Sequence, residues 1–465
     1  MRTVALVPDG VGVRNLVLGP FLDLATEAGE CLVLHAVPAS YVDEYRAGAS
    51  AIWSPLEPDP ESLLRLLLRN TLLVGQMRWA DTVSMRLKLQ RRPTGRWRHR
   101  LLEHTSRLLS RGFAHPERLQ WLDRRHCNRV AASGAVDHYR KLFREWQPDV
   151  IVCSHHRPTN VIAPVLAARE LGVPTATLIF SWDNLTSKGR IVAPFDHYLV
   201  WSQRMRDELL RFYPEIDGAR VHVVGTPQFD PYARATETRE AFFQRFGGDP
   251  KRPLLCYSGG DVGTCPEDAE HARIVLEIVS SGKLDGPRGR PQVLVRPAPV
   301  DTSGRYLSLQ DDFPDVFLCQ PEWADAGADW SVKLPTAADI DFLRHLVVHT
   351  DVGINLASTM TLDFALHDTP VVNVAFDVAD PPPFGRPLWE HYYRYDHYRP
   401  VVEIGAARFA RSRAALETEL RRYLDDPSLD AERRRQLVDL QVGIAPGQCS
   451  PRLVSKLSDI ASRAI

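Results

Sequence analysis

A chain of 465 residues exceeds what one hydrophobic core usually serves, so two or three domains are expected. Its 44% hydrophobic and 25% charged residues are the make-up of a folded protein and exclude wholesale disorder. The 57 basic and 58 acidic residues leave a net charge of −1, which excludes the basic excess behind non-specific nucleic-acid binding, and no nucleic-acid partner is expected.

The chain opens with Arg2-Thr3-Val4-Ala5-Leu6-Val7, a short apolar run that stops at Pro8-Asp9-Gly10 and reads as a first strand, not a secretory signal. Apolar runs of strand length then recur at Cys31 to His35, Val150 to Ser154, Thr175 to Phe180, His197 to Trp201 and Val221 to Val224. Helical patterns fit between them, as at Asn160 to Leu171, which Gly172-Val173-Pro174 stops. Such alternation predicts a parallel sheet covered on both faces. A second series begins after Gly247-Gly248-Asp249-Pro250, at Leu254 to Ser258, Gln292 to Arg296, Val316 to Cys319, Val347 to His349, Val352 to Asn355 and Val371 to Val374.

These readings give an N-terminal domain over 1–235, a C-terminal domain over 250–410 and C-terminal helices over 411–465 that could return across a cleft. Residues 57–145, rich in Leu and Arg with helical periodicity, read as a helical insertion in the first domain. Within it, Arg86 to Arg100 holds seven Lys or Arg and no acid, with a break expected at Pro93-Thr94-Gly95. Two readings stay open for this segment: a solvated basic helix face, and a peripheral contact with an anionic membrane or polymer. Seven widely spaced cysteines without a C-x-x-C pattern read as reduced thiols of a cytoplasmic protein, and no stretch is long enough to cross a bilayer.

Ligands of open parallel sheets bind beside the carboxyl ends of the strands, so the chemistry is sought there. The turn after the first strand carries Asp9, Gly10, Gly12, Arg14 and Asn15. It fits a substrate cradle with Asp9 as a base, or a plain strand-to-helix turn. The turn Cys153 to Asn160 offers His155 as an acid or base and His156 with Arg157 for a developing charge, with Thr159 or Asn160 as an N-cap. Ser181 to Gly189 concentrates Asp183, Asn184 and Lys188. Asp183 is a candidate base, Asn184 a reader of sugar hydroxyls and Lys188 a counter-charge, unless Asp183 and Lys188 only pair.

In the second half, Gly259 and Gly260 end a strand where backbone N–H groups would meet a phosphate, and Arg296 ends the next strand as a guanidinium suited to one. Asn355 then leads through Ser358, Thr359 and Thr361 to Asp363 at a helix start, an arrangement for anions and ribose hydroxyls that N-capping also explains. Asp339 and Asp341 form a D-x-D string in a helical pattern and are expected to be exposed, and no metal site is expected.

Asn355 to Val372 resembles the donor-site signature of the glycosyltransferase-B superfamily, with Asp363 where Glu is common. Its Ser-Thr-x-x-x-Asp-Phe form is also similar to the CDP-glycerol glycerophosphotransferase branch. Val224 to Asp230 resembles the interdomain junction of that superfamily, and Trp182 to Gly189 resembles a motif of surface-polysaccharide enzymes. The resemblance implies an α/β fold of two Rossmann-like domains facing a central cleft. It implies a nucleotide-sugar donor held by Gly259, Gly260, Arg296, Asn355, Ser358, Thr359, Thr361 and Asp363. A sugar, polymer or lipid-linked acceptor would meet Arg14, Asn15, His156, Asn184 and Lys188, with Asp9, Asp183 and His155 catalytic. No cofactor beyond the activated donor is implied. A glycosyltransferase of surface-polysaccharide or glycoconjugate synthesis is the expectation; a CDP-polyol phosphotransferase, a sugar-nucleotide epimerase and a non-catalytic scaffold are its rivals.

Overall fold

A computed structural model describes residues 1–47, 50–93, 95–325, 333–380, 382 and 387–463. Thr94, in the expected break of the basic segment, lies outside them. The chain divides into two units, the first comprising Met1–Ala233 and Gly443–Ile465, the second Arg234–Val442.

The first unit is built on seven strands: β1 (Thr3–Val7), β2 (Cys31–His35), β3 (Ile52–Pro55), β4 (Val150–Cys153), β5 (Thr175–Leu178), β6 (His197–Val200) and β7 (Val221–Val223). They form one parallel sheet in the order β3-β2-β1-β4-β5-β6-β7, with Thr3 opposite Cys31 on one side and Val150 on the other. Helices cover both faces, so every residue of β1, β2 and β4 is buried and these strands read as unbroken apolar runs.

The second unit holds β8 (Leu254–Ser258), β9 (Gln292–Arg296), β10 (Phe317–Leu318), β13 (Val352–Asn355), β14 (Val371–Val374) and β15 (Arg408–Ala410), parallel in the order β10-β9-β8-β13-β14-β15. A separate antiparallel pair joins β11 (Trp323–Asp325) to β12 (Lys333–Pro335). Val293, Val295, Val352, Ile354, Val372 and Val374 of the large sheet share one core with Val275 and Leu276 and with Leu416, Leu420 and Tyr423 of two flanking helices.

In both large sheets the strand order reverses once, between β1 and β4 and between β8 and β13, and a doubly wound sheet binds ligands at such switch points. The expected strand Val347 to His349 instead ends the helix Ala337–His349. Ile340, Leu343, Leu346 and Val347 recur there at helical spacing, and Thr336 caps the start by accepting from Asp339 N at 3.1 Å. The expected strand at Val316 to Cys319 shortens to β10, and β3, β11, β12 and β15 had no counterpart among the expected strands.

Between β3 and β4 lie five helices, Leu63–Ala80, Val83–Gln90, Trp97–Phe113, Pro116–Ala131 and Ala135–Trp146. Polar side chains fix this insertion to the sheet layer. Gln76 Nε2 and Trp79 Nε1 donate to the Phe212 carbonyl at 3.0 and 3.1 Å, and the hydroxyls of Thr82 and Ser84 donate to the Thr186 carbonyl at 2.5 and 2.6 Å. Buried Arg190 binds Gln76 Oε1 at 2.8 Å and pairs with Asp123 and Glu215.

The expected block of C-terminal helices is divided. Arg413–Asp425 and Ala431–Gln441 belong to the second unit and Cys449–Arg463 to the first. Asp230 fastens this last helix: its buried carboxylate accepts from the N–H groups of Gly447, Cys449 and Ser450 at 2.8, 3.1 and 2.7 Å.

Candidate functional site

In the first unit, β1 ends at Val7 and the chain turns at Pro8 into one helical turn, Gly10–Gly12, whose N-cap is Asp9. Asp9 Oδ1 accepts from Gly12 N at 3.0 Å. A Cβ at position 12 would stand 2.3 Å from Ser154 Oγ, so glycine is required for β1 and β4 to end side by side. This contact brings the turn after β4 against Asp9. His155 Nδ1 lies 2.5 Å from Asp9 Oδ2, and both residues are buried. The carboxylate only accepts, so Nδ1 carries a proton, and in the neutral imidazole the lone pair is on Nε2. That Nε2 has no hydrogen-bond partner among the described residues.

The Phe180 ring packs edge-on to His155 with centroids 4.2 Å apart and so ties the turn after β5 to the pair. In that turn the Asp183 carboxylate accepts from the hydroxyls of Ser181 and Ser187, both at 2.7 Å, and pairs with Lys188 at 3.3 Å. Asn184 Oδ1 accepts from Ser181 N at 3.2 Å. Lys88 of the insertion donates to the Ser187 carbonyl. Burial pushes this ammonium down to about 8, the neighbouring Lys188 adds to the effect, and Asp183 opposes it.

The structure therefore gathers Asp9, His155, His156, Asp183, Asn184 and Lys188 beside β1, β4 and β5, but redistributes their roles. Asp9 is the orienting carboxylate and not a free base, because both its oxygens are engaged. Asp183 is likewise bound to two hydroxyls and a cation, and Asn184 is buried in the turn it holds. His156 is buried with Nδ1 donating to the Leu178 carbonyl at 3.3 Å, and burial, then His155, holds its pKa well below the usual imidazole range. It stays neutral and supplies no counter-charge. Asn15 is buried and donates to Val11 O at 2.9 Å, so it faces its own helix and not an acceptor. Arg14, half-buried at the start of the π-helical stretch Val13–Val17, retains a buried Nε without a partner among the described residues. Neither Thr159 nor Asn160 caps the helix Ile162–Glu170 through its side chain.

The second unit corrects the expected donor site more strongly. Gly259 N donates to the Arg296 carbonyl at 2.9 Å and Gly260 N to Asp268 Oδ2 at 2.6 Å, so neither N–H is left for a phosphate. Gly259 is needed for packing: a Cβ there would sit 2.4 Å from Tyr306 Oη. Arg296 is buried and its Nη2 meets both Asp339 oxygens at 2.8 and 2.9 Å, which commits the guanidinium internally. Asp339, expected to be exposed, is buried and also accepts from Glu322 N and Trp323 Nε1 at 3.0 and 2.7 Å. Asp341 is the half-buried member of the string and pairs with Arg245 and Arg344.

After β13, Ala357 adopts φ 47°, a left-handed conformation uncommon for a residue with a Cβ, and turns the chain into the helix Met360–Ala365. Asn355 and Thr361 are buried and bonded to each other at 3.2 Å, and Thr361 continues to Tyr398 Oη at 2.9 Å. Asp363 is 2% exposed and engaged within the protein, which removes it from a ribose-binding position. Ser358 and Thr359 are the partly exposed members of the expected set at this strand end.

Sequence reasoning missed Asp268, whose carboxylate takes Tyr257 Oη at 2.6 Å, Tyr306 Oη at 2.7 Å and Gly260 N. Ligand atoms of Cys265, Asp268 and His271, all buried, lie within 4.8 Å of one another, close enough to hold one small cation after modest contraction. His271 Nε2 is 2.9 Å from the Phe376 carbonyl, which leaves Nδ1 toward Cys265 Sγ at 3.8 Å. Nothing in the spacing of these residues marks them in the sequence. A cavity of 510 Å³ in the first unit is lined by Arg190, Asp123 and Glu215, where the single guanidinium is already paired with both carboxylates.

No family model matches the chain, and no curated protein matches it by sequence. Solved structures do. A UDP-GlcNAc 2-epimerase from Neisseria meningitidis bound to UDP-GlcNAc is 10% identical, with 99% of this chain and 100% of that one covered at a TM-score of 0.56. A UDP-GlcNAc 2-epimerase from Methanocaldococcus jannaschii is 11% identical, with 99% and 100% covered at 0.50. A glycosyltransferase from Rickettsia africae is 9% identical, with 100% and 98% covered at 0.52. At these identities the likeness is one of fold.

Proposed function

On a fold of the glycosyltransferase-B type, with two Rossmann-like parallel sheets, we propose that this chain is a nucleotide-sugar enzyme that transfers a sugar to an acceptor hydroxyl. The observation that carries the reading is the Asp9–His155 pair at the switch point of the first sheet, with His155 Nε2 unpartnered among the described residues. An imidazole so oriented is a general base: Nε2 takes the proton of the acceptor hydroxyl as its oxygen bonds to the anomeric carbon, and the bond from that carbon to the diphosphate breaks. Asp9 stabilises the imidazolium that results. Ser358 and Thr359 are the groups assigned to the departing nucleoside diphosphate. Arg14 and Lys188 are assigned to charge on the acceptor side.

Epimerisation of a sugar nucleotide is the second reading, favoured by epimerases such as those from Neisseria meningitidis and Methanocaldococcus jannaschii among the fold matches. The test is to incubate the full chain with UDP-, GDP-, dTDP-, ADP- and CDP-activated sugars and with CDP-polyols, with and without candidate sugar, polymer and lipid-linked acceptors, and to follow the products by NMR. Acceptor-dependent release of nucleoside diphosphate supports transfer. An inverted sugar carbon without an acceptor supports the epimerase, and CMP release from a CDP-polyol supports phosphotransfer.

A further inference from the structure

The helix Trp97–Phe113 is turned inside out. A surface helix ordinarily faces its leucines inward and its charges outward. Here the fully buried positions are Ser106 and Ser110, whose small side chains lie against the helix Leu63–Ala80, with Arg78 Nε donating to Ser110 Oγ at 3.0 Å. Trp97 is 63% exposed, Leu101 59% and Leu108 63%. With 3.6 residues per turn these three fall within about 40° of one another, roughly opposite Ser106. Leu109, on the flank of this row, is also exposed.

The charge around the row has one sign. Arg98, Arg100 and Arg111 flank it on the same helix, and Arg91, Arg92 and Arg96 precede it, all exposed. No acid occurs from Arg86 to Leu102, and the helix's single acid, Glu103, is paired with Arg107. The whole chain carries a net charge of −1, so this concentration is local. Among the described residues no helix is long and apolar enough to cross a membrane.

We propose that this face docks on the surface of an anionic lipid bilayer, with Trp97, Leu101 and Leu108 entering the boundary between headgroups and acyl chains and the arginines lying against lipid phosphates. A second copy of the chain fits less well, because it would set the same arginines against themselves. The proposal rests on the insertion alone and stands apart from the assignment of the strand-end site.

The experiment is co-sedimentation of the full chain with vesicles of phosphatidylcholine alone and of phosphatidylcholine mixed with phosphatidylglycerol. The expected result is binding at least about tenfold stronger to the anionic vesicles, reversed by about 0.5 M salt. Replacing Trp97, Leu101 and Leu108 together by Glu is expected to weaken it by more than about tenfold, with the thermal melt unchanged because all three are exposed. Changing Arg91, Arg92, Arg96 and Arg98 to Gln weakens it while leaving the apolar row intact. Absence of binding to anionic vesicles, equal binding of the triple variant, or salt-insensitive binding to both vesicle types would overturn the proposal. So would self-association that the triple variant abolishes, seen without lipid binding.

Discussion

The Asp9 carboxylate and the His155 imidazole meet at 2.5 Å across 146 residues of chain, because the doubly wound order places β1 beside β4 and Gly12 lets their ends close together. In the proposed transfer, Asp9 fixes the tautomer that leaves Nε2 basic. Asp9→Asn preserves the shape but offers Nδ1–H a neutral partner, or, with the amide turned, a donor. Turnover is expected to fall by roughly 10²- to 10⁴-fold with little change in KM. His155→Gln is expected to fall as far, and the double variant no further, because the two act as one unit. Steady-state kinetics of the three variants checks this, and additive losses would separate the pair.

Arg296 gives the opposite expectation from the one its strand-end position implies. It is sealed against Asp339, so Arg296→Ala strips a buried carboxylate of its cation and is expected to cost about 3–5 kcal/mol. Replacing Arg296 by Met and Asp339 by Leu together should recover part of that loss. Chemical denaturation measures both, and calorimetry at a temperature where the variant stays folded tests the site assignment. Nucleotide affinity should be little changed, whereas a phosphate-binding Arg296 would lose it with stability intact.

What could be read in advance follows from burial. Strands such as β1, β4 and β8 are covered on both faces and print as continuous apolar runs. The edge strand β3 carries a half-exposed mixed sequence, and β15 has three residues, so neither leaves such a run. Val347 to His349 was misread because a short apolar run does not separate a strand from the end of a buried helix. The strand ends were legible as the place where polar groups gather, since Asp9, His155 and Asp183 all lie there. Their partners were not legible: Arg296 meets Asp339 from 43 residues away, and Asp268 closes on Gly260 through a turn with no periodic signature. Topology, not local pattern, decides which strand-end groups remain free.

Asp230 shows the same long-range logic in a stabilising role. Its carboxylate answers three N–H groups at the start of the helix Cys449–Arg463, more than 200 residues later. Asp230→Ala would leave those donors unpaired in a buried setting and is expected to cost about 3 kcal/mol. The loss should appear as a lowered melting temperature. Limited proteolysis should cut first near Gly443 to Gln448, ahead of the rest of the first unit.

The insertion makes stability depend on acidity through His126. This side chain is buried, its Nε2 has no partner among the described residues, and burial pushes its pKa down to about 4, with Arg65 and Arg69 reinforcing the shift and Glu61 opposing it. The unfolded chain binds a proton at this imidazole near pH 6.5, whereas the folded protein does so only near 4. The stabilising contribution is therefore complete above about pH 6.5 and is lost as pH falls toward 4, at a slope of about 1.4 kcal/mol per pH unit for this one group. His126→Gln removes the titration but keeps a polar side chain of similar reach. The variant is expected to be somewhat less stable at pH 7.5 and to lose less on acidification to pH 5. Urea unfolding of both proteins at the two pH values checks this, and parallel acid dependence would show that His126 does not titrate as its burial requires.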